Sequence, residues 1–183
     1  MKFIVLLAML LTGPAAATEA DDAINQARHF MKKNWHADAI QELEVALTTP
    51  SGRSAFEVHA LLAEAYFQTH NALKAQQHAT RAIELNTSPA RKAEIKRFLG
   101  FLKSNFGVLH LASPYPGMES PIQIGIATPI LDPRVATYLK ALSKELGAGT
   151  VLPARIGFPA GNFTVNGIPV AVKLTKKRGS ICP

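Results

Sequence analysis

The stretch HADAIQELEVAL, residues 36–47, returns in altered form as NALKAQQHATRAIEL, residues 71–85. Sliding the chain against itself by 36 residues brings four pairs of apolar residues into register: Ala27 with Ala63, Phe30 with Tyr66, Ala39 with Ala75 and Ala46 with Ala82. Within each copy, apolar residues recur at intervals of three and four with polar residues between them, which is the period of an amphipathic helix. The spacing therefore predicts two copies of one helical unit.

Each copy is predicted to be a helical hairpin. The turn between its two helices falls at Asn34-Trp35 in the first copy and at His70-Asn71 in the second. Small alanine side chains at facing positions let two antiparallel helices approach closely, and the aromatic residue fills the space beside them. With one more helix after the second copy, the predicted helices lie near residues 21–33, 37–48, 54–69, 72–86 and 89–105.

Two boundary signals support these limits. Ser54-Ala55-Phe56-Glu57 has the pattern of a capping box, in which the hydroxyl and the carboxylate satisfy amide groups that the start of a helix leaves unpaired. Ser88-Pro89 is typical of a helix start, because proline at the first helical position lacks an N–H that would have no partner in any case. The second copy and the fifth helix are therefore expected to begin at these residues.

The helical part, roughly residues 21–106, resembles the tetratricopeptide repeat, a family of helix pairs with a period in the thirties. Leu62-Ala63 and Tyr66 stand where that family usually has Leu-Gly and Tyr, and Leu99-Gly100 is expected to begin a third, incomplete copy. The chain departs from the family in lacking the early Trp of each copy, in having Ala for Gly and in a longer period. The alternative interpretation is a generic alanine-rich helical bundle.

The resemblance implies that an extended peptide or helix binds in a concave groove lined by the first helix of each pair. Carried over to this chain, the lining residues are Ile24, Arg28, Met31, Lys32, Glu64, Phe67, Gln68, Arg97, Phe101 and Asn105. This mixture suits a peptide with both apolar and charged side chains, whereas the family's basic clamp for a C-terminal carboxylate is not reproduced. Two plainer interpretations stay open: burial of the aromatic residues against the next domain, and ordinary solvated charges at the basic ones.

Residues 122–183 are predicted to form a small α+β domain after a linker. Ser113-Pro114-Tyr115-Pro116-Gly117 cannot continue a helix, so residues 107–121 are expected to be the linker. Asp132-Pro133 predicts the start of a helix that stops at Gly147, and Asn166-Gly167 predicts a tight two-residue turn between strands. The four predicted strands lie near residues 122–126, 151–158, 163–165 and 168–174. The expected fold class is therefore α+β in two parts, helical hairpins followed by this domain.

One short segment of the second part carries a further resemblance. Residues 159–165, with the sequence PAGNFTV, are similar to a stretch found in small secreted β-sandwich modules of the carboxypeptidase-regulatory and PEGA kind. The similarity covers seven residues, and the helix from Pro133 does not belong to that pattern. It implies a docking module without chemistry of its own.

The first 20 residues have the order of a secretory signal peptide. Lys2 precedes an apolar run over residues 3–11, and three alanines follow at 15–17. The run is too short to cross, as a helix, a hydrocarbon layer of roughly 30 Å. Cleavage near Ala17 or Ala20 is expected to release a protein that is free in the periplasm or outside the cell.

Cysteine and charge leave two questions open. The single cysteine, Cys182, is either a solvated thiol or a disulfide partner for a second copy or another protein. Of the formal net charge of +7, the excess over residues 107–183 is +5, because 8 Lys and Arg stand there against 3 Asp and Glu. The cluster at Lys173, Lys176, Lys177 and Arg178 is either a solvated tail or a contact to an anionic envelope surface. Nucleic acid is not an expected partner of an exported chain.

No catalytic motif is visible in the sequence. Metalloprotease, serine-elbow, phosphate-loop and Cys-x-x-Cys patterns are absent. The six histidines lie on different predicted helices or turns, so they are interpreted as surface residues and no metal or other cofactor is expected. The leading interpretation is an exported adaptor that binds another protein and is not an enzyme. The alternatives are an envelope-binding structural protein held by its basic C-terminal part and, third, a hydrolase of envelope polymers with an unrecognised site.

Overall fold

A computed structural model describes residues 15–85, 88–110, 123–127, 129–148 and 155–174. Within these ranges the chain is mainly helical, with a smaller C-terminal part of antiparallel strands. The helices are α1 (Ala15–Lys32), α2 (His36–Ala46), α3 (Pro50–Ser54), α4 (Phe56–Gln68), α5 (Ala72–Glu84), α6 (Pro89–Asn105) and α7 (Pro133–Gly147). The strands are β1 (Phe106–His110), β2 (Ile124–Ile126), β3 (Arg155–Pro159), β4 (Gly161–Val165) and β5 (Ile168–Val172). The predicted α+β layout in two parts is confirmed.

The two hairpins, α1–α2 and α4–α5, turn in the same way. Asn34 and His70, 36 residues apart, both have a positive φ, of 60° and 57°. In each copy the next residue donates its N–H to the carbonyl oxygen five residues earlier, at 2.9 Å in the first copy and 2.8 Å in the second. A residue in the left-handed conformation, followed by this hydrogen bond, forms the Schellman motif. This motif ends a helix and satisfies its last carbonyl groups. The predicted turns are confirmed.

The repeated alanines are buried in the helical part. Ala27, Ala39, Ala46, Ala63, Ala75 and Ala82 are all buried. Tyr66, the aromatic residue of the second copy, is buried as well, and its counterpart Phe30 is half-buried against the core. Side chains of this size leave the backbones of two helices free to approach, so larger residues at these positions would separate the hairpins.

The predicted capping box at Ser54 is wrong. Ser54 is the last residue of α3, and its hydroxyl can donate to either of two carbonyl oxygens at the start of that short helix, each 3.1 Å away. Helix α4 begins at Phe56, with Ala55 at the cap position and no side-chain cap. Glu57 pairs with arginines from two other helices instead. Long-range ion pairs thus replace the local cap that the sequence pattern predicts.

Helix α6 is followed directly by strand β1 and not by a second helix. The side chain of Ser88 caps it, as predicted, by accepting the N–H of Arg91 at 3.5 Å. The predicted third copy at Leu99-Gly100 is one residue out of register. Gly100, which was aligned with the buried Ala63, is exposed with open space around it. Leu99 is buried in one cluster with Ala63, its equivalent at the 36-residue spacing.

The predicted linker is wrong at its beginning, where the residues after α6 form a strand. β1 pairs antiparallel with β3, with Phe106 opposite Pro159 and His110 opposite Arg155. The rest of the predicted linker, residues 111–121, lies outside the described residues. β2, β4 and β5 form a second, three-stranded antiparallel sheet in the order β2-β4-β5. The described ranges therefore hold five strands, one more than predicted.

The local signals of the second part agree with the structure. The side chain of Asp132 caps α7 by accepting the N–H of Arg134 at 2.9 Å, with Pro133 in the first turn. The β4–β5 hairpin turns through Asn166 and Gly167, whose φ values are 51° and 80°. Two successive positive φ angles define the tight turn that the Asn-Gly pair predicts.

Tyr138 of α7 joins the helical hairpins to the strands. Its buried hydroxyl accepts the N–H of Ala72 at 3.2 Å. It also lies 2.6 Å from the carbonyl oxygen of His70 and 2.9 Å from that of Gly157, so it can donate to either. Burial raises the pKa of this phenol, which keeps the proton available for donation. One hydroxyl therefore connects the turn of the second hairpin, α7 and β3.

One hydrophobic core extends through both parts. It runs from Ile24 in α1 through Leu62 and Phe106 to Val172 in β5. The chain of α1 is continuous across the predicted signal-peptide boundary, and Ala20 is buried in the fold. In the stretch from residue 15 to 174, as far as it is described, no helix is long and apolar enough to span a membrane.

A pair of glycine substitutions tests the contact between α5 and β3. A Cβ at Gly157 would lie 2.8 Å from the Cβ of Ala72 and 2.8 Å from the backbone nitrogen of Leu73. Because neither strand nor helix backbone can yield easily, Gly157→Ala should lower the free energy of unfolding by about 1–3 kcal/mol. Gly100→Ala, on the open surface of α6, should raise it by about 0.5–1 kcal/mol.

Urea unfolding monitored by circular dichroism measures both changes. The two substitutions add the same methyl group, so opposite signs isolate the effect of the surroundings. Equal stability of Gly157→Ala and the unmodified protein would contradict the described packing of β3 on α5.

Candidate functional site

Two depressions flank α4 on the same side of the molecule. The larger, here called the α4–α6 cleft, has a volume of about 510 Å³ and lies between these two helices. Its lining is Phe56, Glu57, Ala60, Leu61, Glu64, Phe67, Gln68, Arg91, Glu94, Ile95, Phe98, Phe101 and Arg134. The smaller, the α1–α4 depression, has a volume of about 390 Å³ and is lined by Arg28, Met31, Lys32, Asn34, His36, Leu61, Glu64 and Gln68.

The exposed face of α4 makes these depressions one continuous surface. Leu61, Glu64 and Gln68 border both of them, at intervals of three and four that place them on one helix face. Gln68 also borders a third depression, of about 320 Å³, at the start of α7. We call the α4–α6 cleft and the α1–α4 depression together the α4 surface.

An aromatic cluster forms the floor of the α4–α6 cleft. The ring of Phe67 meets those of Phe98 and Phe101 edge to face, with centroids 5.7 Å apart in each case. On its other side Phe67 stacks on Tyr138 at 5.4 Å, which continues into the core. Edge-to-face contacts at this distance favour a fixed geometry. The cleft therefore has a rigid apolar floor that is shared with the core.

The basic groups at the cleft are already paired. Glu57 accepts hydrogen bonds from Arg28 of α1 and from Arg91 of α6, the latter at 2.5 Å, and so connects three helices. Arg134 of α7 pairs with Asp132 at 2.8 Å, and its guanidinium carbon lies 3.8 Å from the centroid of the Phe101 ring. Neither arginine of the α4–α6 cleft is thus free of an acidic partner.

Two carboxylates of the cleft have no such partner. Glu64 of α4 and Glu94 of α6 both line the cleft and are exposed. Neither forms an ion pair with another side chain in the part of the chain that the structure describes. The unpaired charge of the α4–α6 cleft is therefore negative.

Only some of the groove residues predicted from the sequence line the two depressions. Arg28, Met31 and Lys32 line the α1–α4 depression, and Glu64, Phe67, Gln68 and Phe101 line the α4–α6 cleft. The prediction that Ile24 lines the groove is wrong, because its side chain is 7% exposed and belongs to the core. Arg97 and Asn105 border neither depression. The amide of Asn105 donates to the carbonyl oxygen of Phe101 at 2.8 Å and so has a structural role.

Sequence reasoning missed several residues of the cleft. Ile95 and Phe98 precede Phe101 at helical intervals on α6, and this spacing was a usable signal. Phe56 and Leu61 of α4 also line the cleft. Arg134 comes from α7, whose position against α4 no local pattern reveals.

A second polar cluster lies on α4 and α5, away from the α4 surface. The Nδ1 atoms of His59 and His78 are 3.0 Å apart, and Nε2 of His59 lies 3.2 Å from the carbonyl oxygen of Arg53. That carbonyl requires an Nε2–H on His59, so a neutral pair places the Nδ1 proton on His78. The ring of His78 stacks between those of His59 and Tyr66.

These histidines correct the interpretation of all six as surface residues. His59 is buried, and burial lowers its pKa. Burial, with the neighbouring His59 as a second cause, lowers the pKa of His78 to about 4. The pair therefore forms a neutral interhelical contact at neutral pH. Among the residues that the structure describes, no three potential metal ligands cluster together.

Comparisons of the chain with protein-family models, with curated proteins and with solved structures find no match. The function has therefore to be inferred from the residues of the chain and their arrangement.

The histidine pair predicts a loss of stability in mild acid. As the pH falls below 6.5, the ordinary pKa, the unfolded chain takes up a proton at His78, whereas the folded chain does so only near pH 4. The free energy of unfolding should therefore fall between these two values. His78→Asn, which keeps an N–H near the Nδ1 position, should reduce this slope without abolishing it, because His59 still titrates.

Urea midpoints at about pH 7.5 and about pH 5 measure the slope. His29→Gln, which removes an exposed imidazole from α1, is the matched control and should leave the slope unchanged. A slope that is equally steep in His78→Asn and in the control would contradict the role of the buried pair.

Proposed function

We propose that this protein is an exported adaptor that captures an extended peptide segment of another protein on its α4 surface. The observation that carries this proposal is the α4 surface itself, a depression with a fixed aromatic floor and charged rims that is continuous across three helices. Clefts with an apolar floor and a few placed polar groups are the usual form of binding sites.

The resemblance to tetratricopeptide repeats supports the proposal. The family's groove is lined by the first helix of each pair, and here α1, α4 and α6 line the α4 surface. The recurrent turns 36 residues apart support equivalence of the two hairpins. Tyr138 of α7 packs against the aromatic cluster and bonds to β3, and Arg134 of the same helix reaches the cleft.

A binding role fits the described chemistry better than catalysis. The pair of His59 and His78 is neutral, and its Nδ1 atoms bond to each other. Both arginines of the α4–α6 cleft are paired. Export, with residence in the periplasm or outside the cell, is part of the proposal and is supported by the order of the first 20 residues.

The alternative, a structural protein held to an anionic surface, has weaker support. Its basic cluster consists of Lys173, which is exposed, and of residues 176–178, which lie outside the described part of the chain, as does Cys182. No arrangement among the described residues favours it over the α4 surface.

Peptide selection followed by substitution of Gln68 tests the proposal. Gln68 is exposed and borders all three depressions, so Gln68→Trp should fill the α4 surface without disturbing the core. Peptides selected from a displayed random library on the mature protein should lose at least about tenfold in affinity to this variant, since steric exclusion removes their contacts. This position is preferable to Phe67 or Arg28, whose removal would disturb the aromatic cluster or the Glu57 ion pairs.

Gln77→Trp, an equal change on the exposed face of α5, is the matched control. It should bind the selected peptides as the unmodified protein does. Failure to select any peptide, or equal binding by both variants, would overturn capture on the α4 surface.

A further inference from the structure

We infer that the segment held in the α4–α6 cleft is basic and apolar, with a lysine or arginine next to an aromatic or branched side chain. This inference rests on the proposed function and names the chemical class of the captured peptide. Its basis is the combination of two unpaired carboxylates with an aromatic floor in one cleft.

The unpaired charge of the α4–α6 cleft is negative. Of the charged side chains lining the cleft, Glu57 is shared by Arg91 and by Arg28 of the neighbouring depression, and Arg134 bonds to Asp132 outside the cleft. Glu64 and Glu94 stand on opposite walls, one on α4 and one on α6, and neither has an ion-pair partner among the described residues. A basic side chain between the walls is attracted by both carboxylates, whereas each arginine of the cleft already has an acidic partner.

The aromatic floor of the cleft also favours a basic side chain. Lysine and arginine lay their aliphatic stems along apolar surfaces and place their cations over aromatic faces. The protein already contains one such contact at this site, where Arg134 lies over the ring of Phe101. Phe98 lines the same cleft and offers a second ring to a ligand. A basic side chain can therefore satisfy the floor and the carboxylates together.

The neighbouring depression limits how basic the segment is. Arg28, which bonds to Glu57, and Lys32 line the α1–α4 depression and place two cations there. A chain of consecutive cations would be repelled there. The occupant is therefore a segment with isolated basic residues among apolar ones, and not a polycation.

Three fluorescent peptides of one length test the inference by anisotropy. Each carries the same phenylalanine and leucine core, and two flanking positions are lysine, glutamine or glutamate. The lysine peptide should bind the unmodified protein most tightly and the glutamate peptide least. Because exposed ion pairs contribute only a few-fold each, Glu64→Gln with Glu94→Gln should weaken the lysine peptide by about five- to tenfold and leave the glutamine peptide unchanged.

Asp38→Asn with Glu42→Gln, on α2, removes two negative charges away from the cleft and is the matched control. It should bind the lysine peptide within about twofold of the unmodified protein. An equal loss in both double variants would show that only net charge matters and would overturn the inference.

The remaining outcomes separate this inference from the proposed function. Equal binding of the three peptides, or tighter binding of the glutamate peptide, would overturn the basic preference while peptide capture stands. Failure of all three peptides, together with failure of the library selection, would overturn both.

The basic tail of the chain itself is the competing occupant. Removal of residues 175–183, which include Lys176, Lys177 and Arg178, should leave the affinity for the lysine peptide unchanged if the occupant is another protein. A gain of tenfold or more on removal would identify the tail as the occupant and overturn an external partner.

Discussion

The stacking of Tyr138 on Phe67 is the contact on which the arrangement of the other elements depends. Phe67 belongs to the second hairpin and Tyr138 to α7, and their rings lie 5.4 Å apart. The tyrosine hydroxyl then reaches backbone groups of the hairpin turn and of β3. A buried hydroxyl with partners on both sides specifies one orientation of the packed parts, because any other leaves a polar group unpaired. Phe67 also lines the α4–α6 cleft, so the floor of the cleft is continuous with the core behind it.

Local sequence patterns predicted the elements well where the determinants are local. The turns at Asn34 and His70 and the helix start at Asp132-Pro133 depend on a few consecutive residues, and each has the predicted form. The resemblance to tetratricopeptide repeats predicted that α1, α4 and α6 line a groove, and residues of these helices border the two depressions. The failures involve contacts distant in sequence. Ser54 does not cap α4 because it ends α3 and its hydroxyl bonds within that helix, while Glu57 is held by two distant arginines.

The candidate site, too, was predicted only in part from the sequence. The resemblance to tetratricopeptide repeats placed Glu64 and Gln68 in the groove, and they border the depressions, whereas it also placed Ile24 there although packing buries it. Helical periodicity leaves the direction of a partly apolar face uncertain by about one residue, which is enough to exchange core for surface. The contribution of Arg134, the strand at Phe106 and the pairing of His59 with His78 all result from tertiary packing, for which a single sequence offers no local signal.

Amide chemical-shift mapping with a library-selected peptide tests the central claim most directly. If the α4 surface captures the peptide, the perturbed amides concentrate on one face of α4, over residues 60–68, and on the facing part of α6, over residues 91–101. Perturbations concentrated on α2, α5 or the β2-β4-β5 sheet, with α4 unchanged, would contradict capture on the α4 surface.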